Sequence, residues 1–164
     1  MGKDEKTNVM RILEQRKLPY LAHAYPHGPA DAIDAVSVAR SVGLDAACVF
    51  KTLVARGASG QLLVFAIPAA ASLDLKKAAR AAGEKSVSML PQRELLGATG
   101  YVHGGCSPVG MKKQYPTFFH RSVENLSRVA VSAGRVGLQV ELSPADLLAL
   151  VRGSTAALTV EDEA

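Results

Sequence analysis

The sequence predicts an α+β domain, in which helices are interleaved with strands joined mostly by hairpins. Two observations carry that expectation. The β-prone runs CVFKTLVAR (48–56) and QLLVFAIPA (61–69) flank GASG, a hairpin-type connection. RVAVSAG (128–134) and GLQVEL (137–142) repeat the arrangement near the C-terminal end. A third observation is negative: there is no regular βαβ series, and neither GxGxxG nor GxxxxGK[ST] occurs. At 164 residues the chain reads as one domain over 1–164, long enough to bury a core without disulfide or metal staples.

In chain order, TNVMRILEQRK (7–17) spaces Val9, Met10, Ile12 and Leu13 as a short amphipathic helix, with Thr7 or Asn8 as its cap. LPYLAHAY (18–25) alternates after a proline and reads as an edge strand, and PHGPADAI (26–33) as a loop. A helix over 31–44 presents Ile33, Val36, Val38, Ala39 and Val42, with Gly43 at its end. The first hairpin follows, then a helix over LDLKKAARAAG (73–83) ending at Gly83. SVSML (86–90) is a short strand, and PQRELLGAT (91–99) a short helix with Pro91 in its first turn. PTFFH (116–120) is a strand. After the second hairpin, SPADLLALV (143–151) has a helix start, with Ser143 as cap, Pro144 first and Asp146 near the positive end. The core is expected over about 8–151, with frayed ends.

Composition narrows the function classes. The chain is 48% hydrophobic and 21% charged, a globular balance that excludes a disordered one. The longest apolar run, LLVFAIPAAA (62–71), is too short to span a bilayer and contains a proline, so no membrane partner is expected. Cys48 and Cys106 form no CxxC pair, which excludes the usual zinc and redox spacings. His23, His27, His103 and His120 show no metal-ligand spacing, so neither metal nor cofactor is expected. The charged N-terminus lacks a signal-type apolar stretch, and a reducing cytoplasm is the expected compartment. The net charge of +4 is compatible with a polyanionic partner without demanding one.

Two places carry candidate chemistry. Lys51 sits inside CVFKTLV, on the face opposite Phe50 and Thr52. Its stem either lies along an apolar edge with the ammonium in water, or the ammonium anchors a phosphate, carboxylate or carbonyl oxygen at a cleft wall. The second place is YVHGGCSPVGMKK (101–113). Adjacent Gly104 and Gly105 allow close backbone approach and can expose N–H groups to an anion or a developing oxyanion. Cys106 and Ser107 offer a thiol and a hydroxyl, yet neither lies in a GxSxG elbow. The competing reading is a tight turn in which Cys106 packs as a small hydrophobe and Ser107 caps locally. Basic residues gather at Lys76, Lys77 and Arg80 on one helix and at Lys112 and Lys113 after the loop. They form either a solvated face or a surface for nucleic acid backbone. No RNP-type aromatic pair is present, and nothing points to DNA.

Tyr25, the FKTLV segment around Lys51, LDLKKAARAAG (73–83), TGYVHGGCSPVGMKK (99–113) and VSAGRVGLQVEL (131–142) together resemble the YbaK/EbsC family of aminoacyl-tRNA deacylases, relatives of the editing domain of bacterial prolyl-tRNA synthetase. The resemblance covers about residues 8–151 and is nearest to the Cys-tRNA(Pro) deacylase branch. It implies a compact domain on a mixed, barrel-like sheet flanked by helices. It also implies trans-editing of Cys-tRNA(Pro), with Cys-tRNA(Cys) as a second candidate substrate and prolyl-tRNA synthetase as a candidate partner. The family lysine matches Lys51, its GxxxP loop Gly104 to Pro108 and its pocket tyrosine Tyr25. The implied catalytic set is Lys51, Gly104, Gly105 and Ser107, and the implied pocket Tyr25, Phe50, Thr52, Cys106, Pro108 and Gln139. Lys76, Lys77, Arg80, Lys112 and Lys113 are the implied tRNA contacts. Gln139 departs from members that carry an aspartate there. For cysteinyl ester the resemblance implies attack by the substrate's own thiol, giving a thiolactone and free tRNA. Alanine-clearing specificity, a non-catalytic tRNA-binding module and a hydrolase using Cys106 are the alternatives.

Overall fold

The computed structural model describes residues 6–25 and 35–160. The expected loop at 26–33, the beginning of the second helix and the extreme ends lie outside the described residues.

Helix α1 (Asn8–Gln15) starts at Thr7, whose hydroxyl accepts the Met10 N–H, and buries Val9, Met10 and Leu13. Strand β1 (Tyr20–Ala24) is an outer strand, as its place after Pro19 suggested. In helix α2 (Ala35–Val42), Val38 and Ala39 are buried. The first hairpin comprises β2 (Phe50–Gly57) and β3 (Leu62–Pro68). In helix α3 (Leu75–Ala82) the Asp74 carboxylate accepts the N–H groups of Lys76 and Lys77, and Gly83 closes the helix in the left-handed region. Strand β4 (Val87–Met89), helix α4 (Gln92–Thr99) and strand β5 (Thr117–His120) follow. The second hairpin is β6 (Val129–Arg135) and β7 (Leu138–Leu142). Helix α5 (Pro144–Val151) begins at Ser143, whose hydroxyl accepts the Asp146 N–H. Strand β8 (Ser154–Ala156) has no counterpart in the sequence reading. Three residues carry no periodicity, and β8 is defined by its parallel pairing with β5.

The strands form two sheets. One is antiparallel with order β1-β7-β6, and the other is mixed with order β4-β2-β3-β5-β8. They meet at a single parallel bridge between Val49 and Ala130. In place of one barrel-like sheet there are two, joined by that one bridge and packed on a shared core. Cys48 also differs from expectation: it ends a 3-10 turn, Ala46–Cys48, that Asp45 caps ahead of the strand.

Alternation along β2 divides the interior. Phe50 and Val54 join Val64, Ala66, Phe119 and the buried side of α1 in the larger core. Leu53 and Ala55 face the other way, into a cluster with Phe65, Ile67, Ala78 and Ala79 beneath α3. A third cluster of Ala39, Val49, Ala69 and Ala130 seals α2 over the junction of the sheets.

The packed region also extends past residue 151. Leu158 is fully buried; its N–H donates to His120 Nδ1 at 3.1 Å, and its carbonyl accepts the Asp74 N–H at 2.8 Å. Leu158→Ala is accordingly expected to lower unfolding free energy by about 2–5 kcal/mol in urea titration, as for other buried leucines. A loss below about 0.5 kcal/mol, the range of surface substitutions, would show that this segment is not part of the core.

Candidate active site

A cavity of about 340 Å³ lies between the two sheets. Its size is near the lower end of small-molecule sites, roughly 300–1,000 Å³. Five consecutive residues of the β2 region, Val49 to Leu53, line it. A strand flanked on both edges offers alternate side chains to any one space, so five in a row place the cavity at an open strand edge. That edge exists because β4 pairs only with Ala55 to Gly57, and β6, though it packs beside β2, bridges to this region only at Val49–Ala130. Ser132 and Gln139 enter from the other sheet, where they are cross-strand partners and so share a face. Tyr25, Val38 of α2, Leu95 of α4, and His103, Gly104 and Cys106 of the glycine loop complete the wall together with Ala69.

The structure brings Lys51, Gly104, Tyr25, Phe50, Thr52, Cys106 and Gln139 together as the sequence expected. It adds His103, which the sequence placed in the glycine loop without a role, and Ser132, Leu95, Val38 and Ala69, which sequence reasoning missed. Only Ser132 had a usable signal, through its position opposite Gln139 in a hairpin whose register was not fixed by sequence. Half-buried Lys51 makes no ion pair among the described residues. Two buried acceptors in the wall also lack partners, Thr52 Oγ1 and Gln139 Oε1. Such atoms are costly unless a ligand or water meets them. Beside Gln139 on its sheet, Glu141 binds His23 Nε2 at 2.7 Å and Arg128 Nε at 3.3 Å. The hydrogen bond from His23, then that from Arg128, holds the Glu141 carboxyl below its ordinary range. The face that carries Gln139 is thus charged at Glu141 and neutral at the cavity.

The glycine loop is built differently from the expected catalytic set. Gly104 has φ +88°, a conformation that a side chain strains, and it lines the cavity. The Gly105 N–H is already donated to the Val102 carbonyl at 2.9 Å, so it is not available to an oxyanion. A Cβ on Gly105 would come within 3.0 Å of Val136 N and 3.2 Å of Arg135 backbone atoms; this glycine lets the loop lie against the β6–β7 turn. Ser107 is fully buried, its hydroxyl accepts the Val109 N–H at 3.2 Å, and it does not line the cavity. It holds a local turn, and the structure does not bring it to the cavity with the other catalytic candidates. Pro108 is buried behind the wall as well. Cys106 reaches the wall, yet burial pushes its thiol up to about 12. A thiol so held is not ionised near neutrality and is a poor nucleophile. Tyr101, whose hydroxyl donates to the Val109 carbonyl beneath the loop, is likewise pushed up to about 12 by burial.

The basic residues divide. Lys76, Arg80 and Lys113 are exposed. Lys77 is not a free surface cation, because its ammonium donates to the Thr159 carbonyl at 2.8 Å and ties α3 to the C-terminal segment. Lys112 donates to the Gly97 carbonyl at 3.3 Å, near the C-terminal end of α4. Among the described residues no three His, Cys, Asp or Glu side chains gather as a metal site, and no helix is long and apolar enough to cross a membrane.

Residues 29–150 match the model of the aminoacyl-tRNA editing domain. The chain belongs to the aminoacyl-tRNA editing domain family. A protein of Enterococcus faecalis, named provisionally as the Cys-tRNA(Pro)/Cys-tRNA(Cys) deacylase EbsC, is 44% identical over 96% of both chains. A solved structure described provisionally as a trans-editing enzyme for prolyl tRNA synthetase superposes with TM-score 0.78 at 27% identity, over 92% of this chain and 96% of that one. A hypothetical protein of known structure shares the fold with TM-score 0.81 at 21% identity, over 92% and 98% of the two chains. The chain is an editing domain of the YbaK/EbsC type, a family of trans-editing deacylases.

Two outcomes follow for this editing domain. Cys106 and Tyr101 ionise at ordinary values of 9.0 and 10.0 and at about 12 when buried. Their protonated forms therefore stabilise the fold fully below pH 9, and that contribution falls as pH rises from 9 toward 12. Denaturant midpoints measured across this range should drop, with the drop reduced in Cys106→Ala; a flat profile in the unmodified chain contradicts the burial argument. Gly105→Ala, in turn, forces the loop from the 135–136 backbone, and about 1–3 kcal/mol of stability should be lost in the same titration.

Proposed function

We propose that this protein clears cysteine from mischarged tRNA(Pro) in trans, with Cys-tRNA(Cys) as a second substrate. The observation that carries the reading is a small cavity whose only thiol is held protonated and whose nearest serine of the glycine loop is buried elsewhere. The wall thus supplies a cation, Lys51, and a glycine loop, and among the described residues its hydroxyls, Thr52 and Ser132, have no hydrogen-bonded base to activate them. A substrate that brings its own nucleophile suits such a site. The cysteinyl sulfur bonds to the ester carbonyl carbon, the bond from that carbon to the ribose oxygen breaks, and the thiol proton ends on the ribose oxygen. The products are a thiolactone and free tRNA.

In this reading Lys51 stabilises negative charge as it develops on the carbonyl or the leaving ribose oxygen. Gly104 lets the loop backbone approach the ester closely. Tyr25, Phe50, Thr52, Cys106, Ser132 and Gln139 bound a space for a small side chain and hold it in a reactive pose. Lys76, Arg80 and Lys113 meet the tRNA backbone, with Lys112 at the edge of that surface. The name carried by the Enterococcus relative supports the cysteine specificity, and the solved trans-editing relative supports prolyl-tRNA synthetase as partner. A cytoplasmic setting fits both.

The test is a deacylation panel with cysteinyl, alanyl, seryl and prolyl esters on tRNA(Pro). Cysteinyl ester should be cleaved fastest, and Lys51→Ala should lower kcat/KM by about 10²-fold or more, as for loss of one oxyanion-stabilising group. Cys106→Ala should keep activity. Faster cleavage of alanyl ester moves the specificity to alanine. Salt-sensitive tRNA binding without cleavage of any ester makes the protein a binding module.

A further inference from the structure

The open stretch of β2 points to a main-chain subsite at Thr52, and it rests on the reading of the cavity as an aminoacyl-ester site. Backbone groups of successive strand residues point to opposite edges. The Val49 carbonyl accepts the Ala69 N–H at 2.7 Å, so odd-numbered residues here face β3. Pro68, which has no N–H, stands opposite Phe50, consistent with that phase. The Val54 carbonyl accepts the Leu90 N–H at 3.0 Å from the other side, so even-numbered residues face away from β3. β4 takes up that outer edge only from Ala55 onward, and the Ala130 bridge lies at Val49. Thr52 falls between them. Its N–H and C=O both project toward that outer edge, where among the described residues no ladder pairing joins Thr52 to β4 or β6. Its Oγ1 is buried and unpartnered at the same point.

Unpaired main-chain groups on a strand edge recruit another extended segment. Here the space beside the edge is a cavity of about 340 Å³, too small for a strand of another chain and large enough for the charged end of a tRNA. An L-α-aminoacyl ester presents an amino N–H and a carbonyl oxygen in the same relation as one residue of extended chain.

We propose that the aminoacyl group pairs with Thr52 as a single-residue antiparallel strand. The α-ammonium donates to the Thr52 carbonyl, and the Thr52 N–H donates to the ester carbonyl oxygen. Two features follow. Cross-strand partners share a face, so an L side chain falls beside Thr52 Oγ1 and a D side chain on the Lys51 face. The Thr52 N–H also points at the oxygen on which charge develops, acting from the strand rather than from the glycine loop.

The experiment uses the full chain labelled with nitrogen-15 and the stable amide 3′-(L-cysteinylamino)-3′-deoxyadenosine. The Thr52 amide should shift downfield and exchange with solvent at least about tenfold more slowly in the complex. A 3-mercaptopropionyl analogue keeps thiol and carbonyl and lacks the amino group; it should bind about tenfold more weakly, the effect of leaving a buried acceptor unpaired. The inference is overturned if the Tyr25, Gly104 and Gln139 amides respond to the cysteinyl probe while Thr52 exchange is unchanged, or if the two probes bind equally. If no cavity amide responds and cysteinyl ester is not cleaved, the reading of the site itself fails and the inference goes with it.

Discussion

Strand β2 is asked to pair with different neighbours at its two ends. On one edge it is held along its length by β3. On the other, β4 pairs with three of its residues, and β6 lies alongside with one bridge, at Val49 just before the strand. Ladder hydrogen bonds are obligatory for buried backbone, so a gap in a ladder must be filled by water, side chain or ligand. Most of the site derives from that gap. It opens the space, it exposes consecutive residues to one cavity, and it places both faces of the strand at its rim. Phe50 and Leu53 anchor those faces in different cores, which fixes how the strand presents Lys51 and Thr52.

The glycine loop then depends on the second hairpin. Gly105 has room only because it lacks a Cβ against the Arg135–Val136 backbone, and that contact brings Gly104 and Cys106 to the cavity wall. The bulge between Ser132 and Arg135 shapes the turn that receives the loop. The two sheets are therefore coupled twice around the cavity, by the Val49–Ala130 bridge and by the loop. A change in either sheet's hairpin is felt at the same wall.

Much of this organisation is legible in the sequence. Both hairpins, the helix starts at Thr7 and Ser143 and the helix end at Gly83 are local chemistry, and local chemistry is written in neighbouring residues. The cavity residues Lys51, Gly104, Tyr25 and Gln139 were reachable through an ordered set of motifs. What escaped was long-range. β8 is three residues long and exists because β5 offers an edge; Leu158 is buried because His120 and Asp74 bind its backbone. Ser107 and Gly105 look catalytic in a linear reading of HGGCSP. Their hydroxyl and N–H are engaged by Val109 and Val102, partners two and three residues away that the linear reading gave no reason to choose.

The protonation states of the wall argue for the division of labour between protein and substrate. A protein nucleophile needs a thiolate or an alkoxide near neutrality, and burial drives Cys106 the opposite way. The charge nearest Gln139 on its sheet belongs to Glu141, which is paired with His23 and Arg128. Among the described residues that line the cavity, a neutral amide at 139 therefore leaves no carboxylate to compete for Lys51. With Lys51 in no ion pair among the described residues and a protonated thiol in the same wall, the cavity suits the proposed ester that carries its own nucleophile. In the proposed reaction, desolvation inside such a wall strengthens the interaction of Lys51 with a developing oxyanion more than with the neutral ester, and that difference would lower the barrier.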